Sequence, residues 1–333
     1  MNNILVEGNH TRIVSVNGLE EAYYRKNICM KIFLHPVDEN TKIEDVRWSD
    51  EQNGFRENLL ECTKIQNLLA FQGLAPRVYS LEFTEIWDKK YAYQVTDFVP
   101  EGERKDVTQN VFDYCQEVGI KPHDIGGGAN MRNGLFTDFQ EFEFTEKYEK
   151  ELRERIAKGL AYAGTTDRAY QSVEELGIIG ERVNSEREKL LQIPKDLPTD
   201  FTVLDFGCNG AYFMRRAFDA GAIYGVGVDI PRVNEAAQEL NNYLGYFNMD
   251  FVEKVPDQEF DLVLLLSAFG YANIDEIFPK AKVALIEGHT LNNQHTEEYY
   301  RTMLEKYYPT VITRGWTQDD PSLPPRVVME ARR

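Results

Sequence analysis

The chain has 333 residues, of which 42% are hydrophobic and 28% are charged, and its formal net charge at pH 7 is −18. The length favours two domains, and the composition is typical of a soluble globular protein. Because lysine and arginine are the residues that meet nucleic-acid phosphates, this acidity argues against broad, sequence-independent nucleic-acid binding.

The N-terminus and the cysteines favour a cytoplasmic protein. "MNNILVEGNH" has no basic region followed by an apolar core, so we expect no signal peptide. The apolar runs stay far below the roughly 20 residues of a membrane span, so we expect none. The cysteines are scattered without C-x-x-C pairing, which predicts reduced thiols and neither a disulfide frame nor a zinc site: Cys29, Cys62, Cys115 and Cys208.

The first elements of the chain combine a strand, a helix and a second strand. "NICMKIFL" (27–34) is a short strand with Lys31 inside a hydrophobic run, and a buried lysine needs an anionic partner. Leucine and isoleucine at helical spacing predict a helix within 55–81, which carries Glu61. "KYAYQVTDFVPEG" (90–102) is a strand that runs into an exposed turn.

Two further segments, "KPHDIGGGAN" and "GLFTDFQEF", complete a pattern over roughly residues 10–145 that resembles a reduced protein-kinase core. The resemblance implies an α+β domain in which Lys31 and Glu61 are the strand lysine and its helix glutamate, with 94–99 as the hinge. It also implies catalytic-loop and metal-binding residues, namely Asp124, Asn130 and Asp138. ATP and Mg²⁺ would then be possible ligands, with Asp138 as the possible metal ligand.

The candidate nucleotide loop, "SVNGLEE", departs from that family. It has one glycine, Gly18, and two acids, Glu20 and Glu21, so it would cradle phosphates poorly. Three hypotheses follow: a working minimal kinase, a degenerate kinase, or a nucleotide-free scaffold. We favour the degenerate kinase, in which Lys31 and Glu61 form a structural salt bridge.

The resemblance and the order of predicted elements divide the chain into three parts: a kinase-like domain over 1–144, a helical linker and lead-in over 145–195, and a second domain over 196–333. The linker begins as a charged helix. The lead-in segment carries Arg182 and Arg187, which could meet a carboxylate or a phosphate, or could equally lie on a solvated helix face.

From about residue 200, short apolar runs alternate with helical stretches. Such alternation predicts a parallel sheet covered on both faces, in an α/β domain. The final two strands, "TVITRG" and "PRVVMEAR", lie too close for a helical crossover, so they should pair antiparallel. The predicted strands are 201–206, 222–230, 246–251, 260–266 and 282–288, and the predicted helices are 212–220, 232–244 and 296–308.

The stretch "VLDFGCNGAYF" (203–213) follows the first strand and opens the first helix, where an open α/β sheet binds its ligand. Gly207 allows a sharp turn. Asp229 ends the second strand, where a carboxylate can accept both hydroxyls of a ribose. Asp250 ends the third strand, where it could accept an adenine amino group, with Phe251 or Met249 against the ring.

A dinucleotide site needs G-x-G-x-x-G, whereas this loop has only Gly207 and Gly210. Asp205 would sit badly beside a pyrophosphate but well beside a cationic sulfonium or amino group. Over roughly 196–333, this pattern of strand-end acids resembles the class I S-adenosylmethionine-dependent methyltransferases. In that family, glycines usually occupy the positions of Asn209 and Ala211.

The resemblance implies a Rossmann-like sheet with an antiparallel last strand, S-adenosylmethionine as cofactor, and no metal in this domain. The cofactor-binding residues that it implies are Asp205, Gly207, Asn209, Gly210, Asp229, Ile230, Asp250, Phe251 and Ser267. Acceptor-side groups should lie beyond the fourth and fifth strands, and we expect catalytic roles for Tyr271, Glu287 and His289. His289 is the best candidate base because the ordinary histidine pKa is about 6.5, although it could also be a satisfied loop histidine.

The sequence therefore predicts methyl transfer from S-adenosylmethionine to a small-molecule or glycan acceptor, with a kinase-like accessory module. The combination resembles the bifunctional enzymes that cap bacterial O-antigen glycans, although the module order differs. Two alternatives remain: an active bifunctional kinase–methyltransferase, and a non-catalytic scaffold that only binds S-adenosylmethionine.

Overall fold

The structure is a computed structural model of the chain. It describes residues 3–7, 11–49, 56–100, 102, 107–122, 131–139, 142–161, 168–182, 184–288, 296–318 and 324–333. Within these ranges, no helix is both long and apolar enough to cross a membrane. All four cysteines are free thiols and are buried.

The chain divides into two compact units. The N-terminal unit comprises Met1–Leu152 together with Asn242–Asn248, and the C-terminal unit comprises Arg153–Asn241 and Met249–Arg333. The domain boundaries predicted from the sequence stay predictions.

The N-terminal unit is built on an antiparallel sheet with the strand order β1-β2-β3-β7-β6. Its elements are β1 (Asn3–Glu7), β2 (Thr11–Ser15), α1 (Leu19–Tyr23), β3 (Ile28–Val37), β4 (Arg47–Ser49), β5 (Arg56–Asn58), α2 (Leu59–Phe71), β6 (Val78–Ile86), β7 (Lys89–Asp97), α3 (Thr108–Val118), β8 (Ile120–Lys121), β9 (Met131–Arg132), β10 (Leu135–Phe136) and β11 (Glu143–Phe144). Helix α4 (Glu146–Gly159) follows.

Helix α2 forms where the leucine and isoleucine spacing predicts it. The Asn58 side chain caps its first turn by accepting hydrogen bonds from the backbone N–H groups of Leu60 and Glu61, at 3.1 and 3.3 Å. The apolar face of the helix buries Ile65 and Leu69 completely. The unit is thus an α+β arrangement, while its relation to protein kinases stays a prediction.

The C-terminal unit contains a seven-stranded sheet with the order β14-β13-β12-β15-β16-β18-β17. Its elements are α5 (Asn184–Glu188), β12 (Thr202–Phe206), α6 (Tyr212–Asp219), β13 (Tyr224–Val228), α7 (Pro231–Tyr243), β14 (Met249–Val252), β15 (Phe260–Leu266), α8 (Ile274–Ile277), β16 (Ala281–Glu287), α9 (Glu297–Leu304), β17 (Thr310–Thr317) and β18 (Arg326–Arg332).

Strand β12 lies at the centre of this sheet and decides where a ligand can enter. It pairs in parallel with β13 on one side and with β15 on the other. The chain first moves outward to β14, and then returns across β12 to build β15 and β16. Such a reversal opens a crevice at the carboxyl ends of the strands on either side of it.

The sheet confirms the predicted fold class for this half of the chain. β12 to β16 are all parallel, and β18 is antiparallel to both β16 and β17. Successive residues such as Val203 and Leu204 are fully buried, as are residues 262–265. Burial of consecutive residues means that both faces of the sheet are covered, which is why these strands appear as continuous apolar runs in the sequence.

Candidate functional site

The loop between β12 and α6 turns at Gly207. This residue has φ 74°, in the left-handed region that favours glycine. A Cβ atom at Gly207 would lie 2.7 Å from Cβ of Ala268, so any side chain would collide with the segment after β15. The Gly207 N–H also donates to the Val228 carbonyl at 2.8 Å, which holds the turn against the end of β13.

Two residues that replace the usual glycines keep the backbone conformation of glycines. Asn209 has φ 47° and Ala211 has φ 58°. For a residue with a Cβ, left-handed backbone costs about 1–2 kcal/mol, so the surrounding structure imposes this conformation. The departure from the family pattern therefore changes the side chains of the loop and leaves its left-handed turns in place.

Arg215, which the sequence does not mark as a functional residue, holds this loop through hydrogen bonds. Its buried guanidinium donates to the Gly210 carbonyl at 2.6 Å and to Oδ1 of Asn241 at 3.0 Å. The Asn209 amide donates to the Leu160 carbonyl at 3.3 Å. A Cβ atom at Gly210 would lie 3.0 Å from the Leu160 side chain, so close packing accounts for that glycine.

Asp229 lies directly after β13, with its carboxylate oriented by the backbone. Oδ2 accepts the N–H of Asn209 at 3.0 Å, and Oδ1 accepts the N–H of Ile230 at 2.8 Å. Burial raises the pKa of Asp229, and these two backbone hydrogen bonds oppose the rise. Each oxygen keeps a further lone pair, so the carboxylate can accept two more hydrogen bonds from a ligand. The Ile230 side chain beside it is 50% exposed.

Asp205 is the buried acid of this site. It is 3% exposed, and its register partners on the neighbouring strands are Gly227 and Leu264. Burial, and then the nearby charge of Asp229, raises the pKa of Asp205 to about 7, while the charge of Arg187 opposes the rise. A cation bound beside Asp205 would favour its ionised form.

Asp250 does not end its strand as the sequence predicts. Strand β14 continues to Val252, whose carbonyl accepts the Asp229 N–H at 3.2 Å, because the register with β13 extends that far. The Asp250 carboxylate accepts a hydrogen bond from the Tyr224 hydroxyl at 3.1 Å, and Tyr224 is the first residue of β13. The Phe251 ring covers Gly227, where a Cβ atom would lie 2.7 Å from Cδ1. The adenine contacts of both residues stay predictions.

A buried network that we call the Glu287 cluster lies at the carboxyl ends of β15 and β16. The Arg187 guanidinium donates to both carboxylate oxygens of Glu287, at 3.1 and 2.7 Å. Hydroxyls donate from Ser267 at 2.5 Å and from Thr317 at 2.6 Å. Two further cations complete the cluster. Nη1 of Arg182 lies 3.4 Å from Oε2 of Glu287, and Nη1 of Arg326 lies 3.9 Å from the same oxygen.

This environment makes Glu287 a poor proton acceptor. Although burial alone would raise its pKa, the charges of Arg187 and Arg182 hold that pKa far below the ordinary glutamate value. Glu287 and Arg187 are both 0% exposed. The carboxylate therefore stays ionised near neutral pH, and the catalytic role expected of Glu287 stays a prediction.

Ser267 links this cluster to the crevice. It is a non-glycine residue at φ 62° directly after β15, and its N–H donates to the Glu287 carbonyl at 2.9 Å. Its hydroxyl accepts from Arg326 at 3.2 Å and from Arg182 at 3.4 Å. Backbone strain of this kind occurs where surrounding contacts over-determine a side chain.

The other predicted acceptor-side residues are not brought together with Ser267 in the described ranges. The Tyr271 side chain is 80% exposed. His289 lies outside the described residues, so its role stays a prediction. Arg182 and Arg187 do not lie on a solvated face; both are buried and donate to the Glu287 carboxylate, while contact with a ligand stays a prediction. Arg326 and Thr317 were missed because nothing near them in the sequence marks an ionic site.

Of the residues expected from the kinase resemblance, Lys31 and Asp138 lie at a common cavity and Glu61 makes its hydrogen bond elsewhere. Lys31 and Asp138 line one cavity, of about 150 Å³. The Glu61 carboxylate instead accepts the Phe144 N–H at 2.8 Å, and no ion pair within 4.0 Å connects it to Lys31 in the described part of the chain. Asp124 and Asn130 lie outside the described residues.

Comparison with known proteins gives structural similarity only. No family model matches the chain, and no curated protein matches it. Among solved structures, the bifunctional kinase-methyltransferase WbdD is 20% identical over 49% of this chain and 43% of its own, with a TM-score of 0.41. The chain thus spans less than half the length of that structure.

Two further solved structures are single methyltransferases. Magnesium protoporphyrin IX methyltransferase from Synechocystis PCC 6803, with bound SAH, is 16% identical over 56% of this chain and 95% of its own, with a TM-score of 0.39. Precorrin-6y C5,15-methyltransferase from Geobacter metallireducens GS-15 is 15% identical over 49% and 94%, with a TM-score of 0.36. The predicted resemblance to methyltransferases, one of them joined to a kinase, is confirmed at this level of similarity.

Proposed function

We propose that the C-terminal unit binds S-adenosylmethionine and transfers its methyl group to a small-molecule or glycan acceptor. One observation carries the proposal. At the crevice beside β12, the Asp229 carboxylate is held by two backbone N–H groups, next to a loop with left-handed backbone at Gly207, Asn209 and Ala211. A pre-oriented carboxylate at the end of the second strand suits the two hydroxyls of a ribose.

The residues around Asp229 fit the nucleoside part of this cofactor. Both Asp229 oxygens have lone pairs left for ribose hydroxyls. Ile230 offers a half-exposed apolar side chain to the face of an adenine ring. Gly207 turns the loop beside Asp229, where a side chain would collide with Ala268.

Asp205 fits the charged end of the cofactor. S-adenosylmethionine supplies an electrophilic methyl group on a sulfonium, and it also carries an ammonium group. A buried carboxylate with a pKa of about 7 is costly to ionise without a cation beside it. Asp205 would therefore become fully charged when the cofactor binds, and that charge would orient the cationic end.

The acceptor would be held on the far side of the methyl group, beyond β15 and β16. There the Glu287 cluster fixes the Ser267 hydroxyl through Arg182 and Arg326. Alignment of donor and acceptor supplies much of the rate of a displacement, so we assign Ser267 and Glu287 to positioning. His289, two residues after Glu287, is the proposed general base for acceptors that lose a proton.

Kinase activity is not part of this proposal. Lys31 and Asp138 share a cavity, which favours a module that once resembled a kinase, but Glu61 makes its hydrogen bond elsewhere. Binding of ATP with Mg²⁺, and a cytoplasmic location, stay predictions. A non-catalytic scaffold would share the cofactor site and would differ in turning over no acceptor.

Calorimetry with S-adenosylhomocysteine tests the assignment. Asp229→Ala should lose two charge-assisted hydrogen bonds of about 1.5–3 kcal/mol each, so its affinity should fall at least about tenfold. Asp257→Ala, which removes a fully exposed acid of the same unit, is the control and should bind as the unaltered chain does. Unchanged binding by Asp229→Ala would refute the ribose assignment.

The scaffold alternative is tested separately. The chain would be incubated with methyl-labelled S-adenosylmethionine and pools of glycans and small metabolites. Label transfer that is lost in Asp229→Ala supports the enzyme. Tight cofactor binding with no transfer to any pool favours the scaffold.

A further inference from the structure

The cavity of the N-terminal unit is lined by charged groups whose hydrogen-bonding capacity the described residues use only in part. Most of its polar lining is already satisfied. The Gln66 amide and the Thr96 hydroxyl donate to backbone carbonyls at 2.9 and 2.8 Å. The Asp97 carboxylate accepts from the Tyr79 hydroxyl at 2.8 Å and from a backbone N–H at 3.0 Å. These residues shape the cavity but have little left to offer a ligand.

Three lining residues differ from this pattern. Among the residues that the structure describes, Nη1 of Arg132 and Oδ1 of Asp138 are buried and have no hydrogen-bond partner. Nζ of Lys31 donates to the Thr137 carbonyl at 3.4 Å, and an ammonium has three donors. Native proteins rarely leave buried polar atoms unpaired, so each such atom indicates a missing water, ion or ligand.

The charges around the cavity favour an anion. Burial lowers the pKa of Lys31, the charge of Asp138 opposes this, and the charge of Arg132 adds to it. Lys31 and Arg132 therefore lie close enough to repel each other. Asp138 is the acid whose charge acts on Lys31, whereas Asp97, the other acid of the lining, already accepts two hydrogen bonds. In the described part of the chain, no ion pair within 4.0 Å connects Lys31 or Arg132 to Asp138. An anion among these groups would supply acceptor oxygens to the unused donors of Lys31 and Arg132.

Lys31, Arg132 and Asp138 together determine which hydrogen-bonding groups the anion must have. Lys31 and Arg132 need acceptor oxygens, whereas Oδ1 of Asp138 needs a donor. A protonated oxyanion such as hydrogen phosphate offers both, because it has bare oxygens and one O–H group. The volume of about 150 Å³ equals that of cavities that hold a benzene-sized guest, and ordinary drug-sized ligands need about 300 Å³ or more.

We propose that this cavity binds a small protonated oxyanion, held by Lys31 and Arg132 through its bare oxygens and by Asp138 through its O–H group. The site lies wholly in the N-terminal unit and does not depend on the methyltransferase proposal. Asp138 would then act as a selectivity residue, because it repels an oxyanion that has no proton to donate.

Titrating the full chain with anions tests the proposed oxyanion site. The titrations are made at one pH near neutrality and at constant ionic strength, and binding is measured by the shift in melting temperature and by calorimetry. Inorganic phosphate should bind at least tenfold more tightly than sulfate, which has no O–H group at that pH. Asp138→Asn replaces the acceptor by an amide donor, so it should remove the preference and strengthen sulfate binding. Arg132→Met should weaken both anions.

Asp113→Asn, which alters an exposed acid of α3, is the matched control and should keep the preference for phosphate. Circular dichroism and urea denaturation show whether each variant is folded. Equal binding of phosphate and sulfate, or no binding of either, would overturn the proposal. So would binding of ATP with Mg²⁺ alone, which would instead assign the cavity to a nucleotide.

Discussion

Two buried charged sites, one in each unit, differ in how completely the protein satisfies them. In the Glu287 cluster, both carboxylate oxygens accept several hydrogen bonds from Arg187, Ser267 and Thr317. In the N-terminal cavity, one oxygen of Asp138 and one nitrogen of Arg132 have no hydrogen-bond partner among the described residues. A buried carboxylate beside arginine is therefore not by itself a sign of a ligand site in this chain.

The difference separates a structural role from a binding role. A satisfied network gains nothing from a ligand, and removing one member leaves the other charges buried without compensation. An unsatisfied group lowers stability until a ligand supplies the partner. By the proposal above, we place the supporting framework at Glu287 and the ligand contact at Asp138.

The largest effect is expected from Glu287→Gln, which breaks the satisfied site. The amide keeps the volume but removes the charge that compensates Arg187 and Arg182, so unfolding free energy should fall by about 3–5 kcal/mol. Urea denaturation measures this. Glu305→Gln, at an exposed position just after α9, should stay within about 0.5 kcal/mol of the unaltered chain. A similarly small loss in Glu287→Gln would contradict the structural role.

An effect of comparable size, but dependent on pH, is expected at Asp205, the buried acid of the crevice. Its pKa of about 7 exceeds the unfolded value, so between about pH 4 and pH 7 the native state binds more protons than the unfolded state. Stability contributed by this group is therefore lost as pH rises through that window. The loss is on the order of a few kcal/mol, at about 1.4 kcal/mol per pH unit.

Asp205→Asn isolates that contribution. The variant should be more stable than the unaltered chain at pH 8, and the gain should disappear near pH 4, where both side chains are neutral. Urea denaturation as a function of pH measures the difference, and Asp257→Asn is the control for a general charge effect. A gain that does not depend on pH would show that the Asp205 charge is not the cause.

The smallest effect is expected from Arg132→Met in the unsatisfied site. The change keeps an apolar stem but removes an unpaired donor and a positive charge near Lys31. Unfolding free energy should therefore stay level or rise by up to about 1 kcal/mol. A loss of several kcal/mol by urea denaturation would mean that Arg132 is a structural residue like Arg187, and the contrast between the two sites would fail.

Local patterns in the sequence identify the sheet and the loop of the C-terminal unit. Continuous apolar runs, a glycine after the first strand and an acid after the second depend on short-range constraints, so β12, Gly207 and Asp229 lie where the sequence predicts them. The strand that contains Asp250 is less predictable. Its end is decided by its register with β13, which extends pairing to Val252.

The sequence by itself determined the parallel sheet, its antiparallel closing strand and the acids near the crevice, because periodicity, turn residues and strand spacing are local properties of the chain. Only the tertiary structure decided the partners of the buried charges. The Glu287 carboxylate is surrounded by side chains from three other segments, those of Arg182, Ser267 and Arg326. Lys31 shares a cavity with Asp138 and not with Glu61. Burial makes charges choose partners across space, and no spacing along the chain encodes that choice.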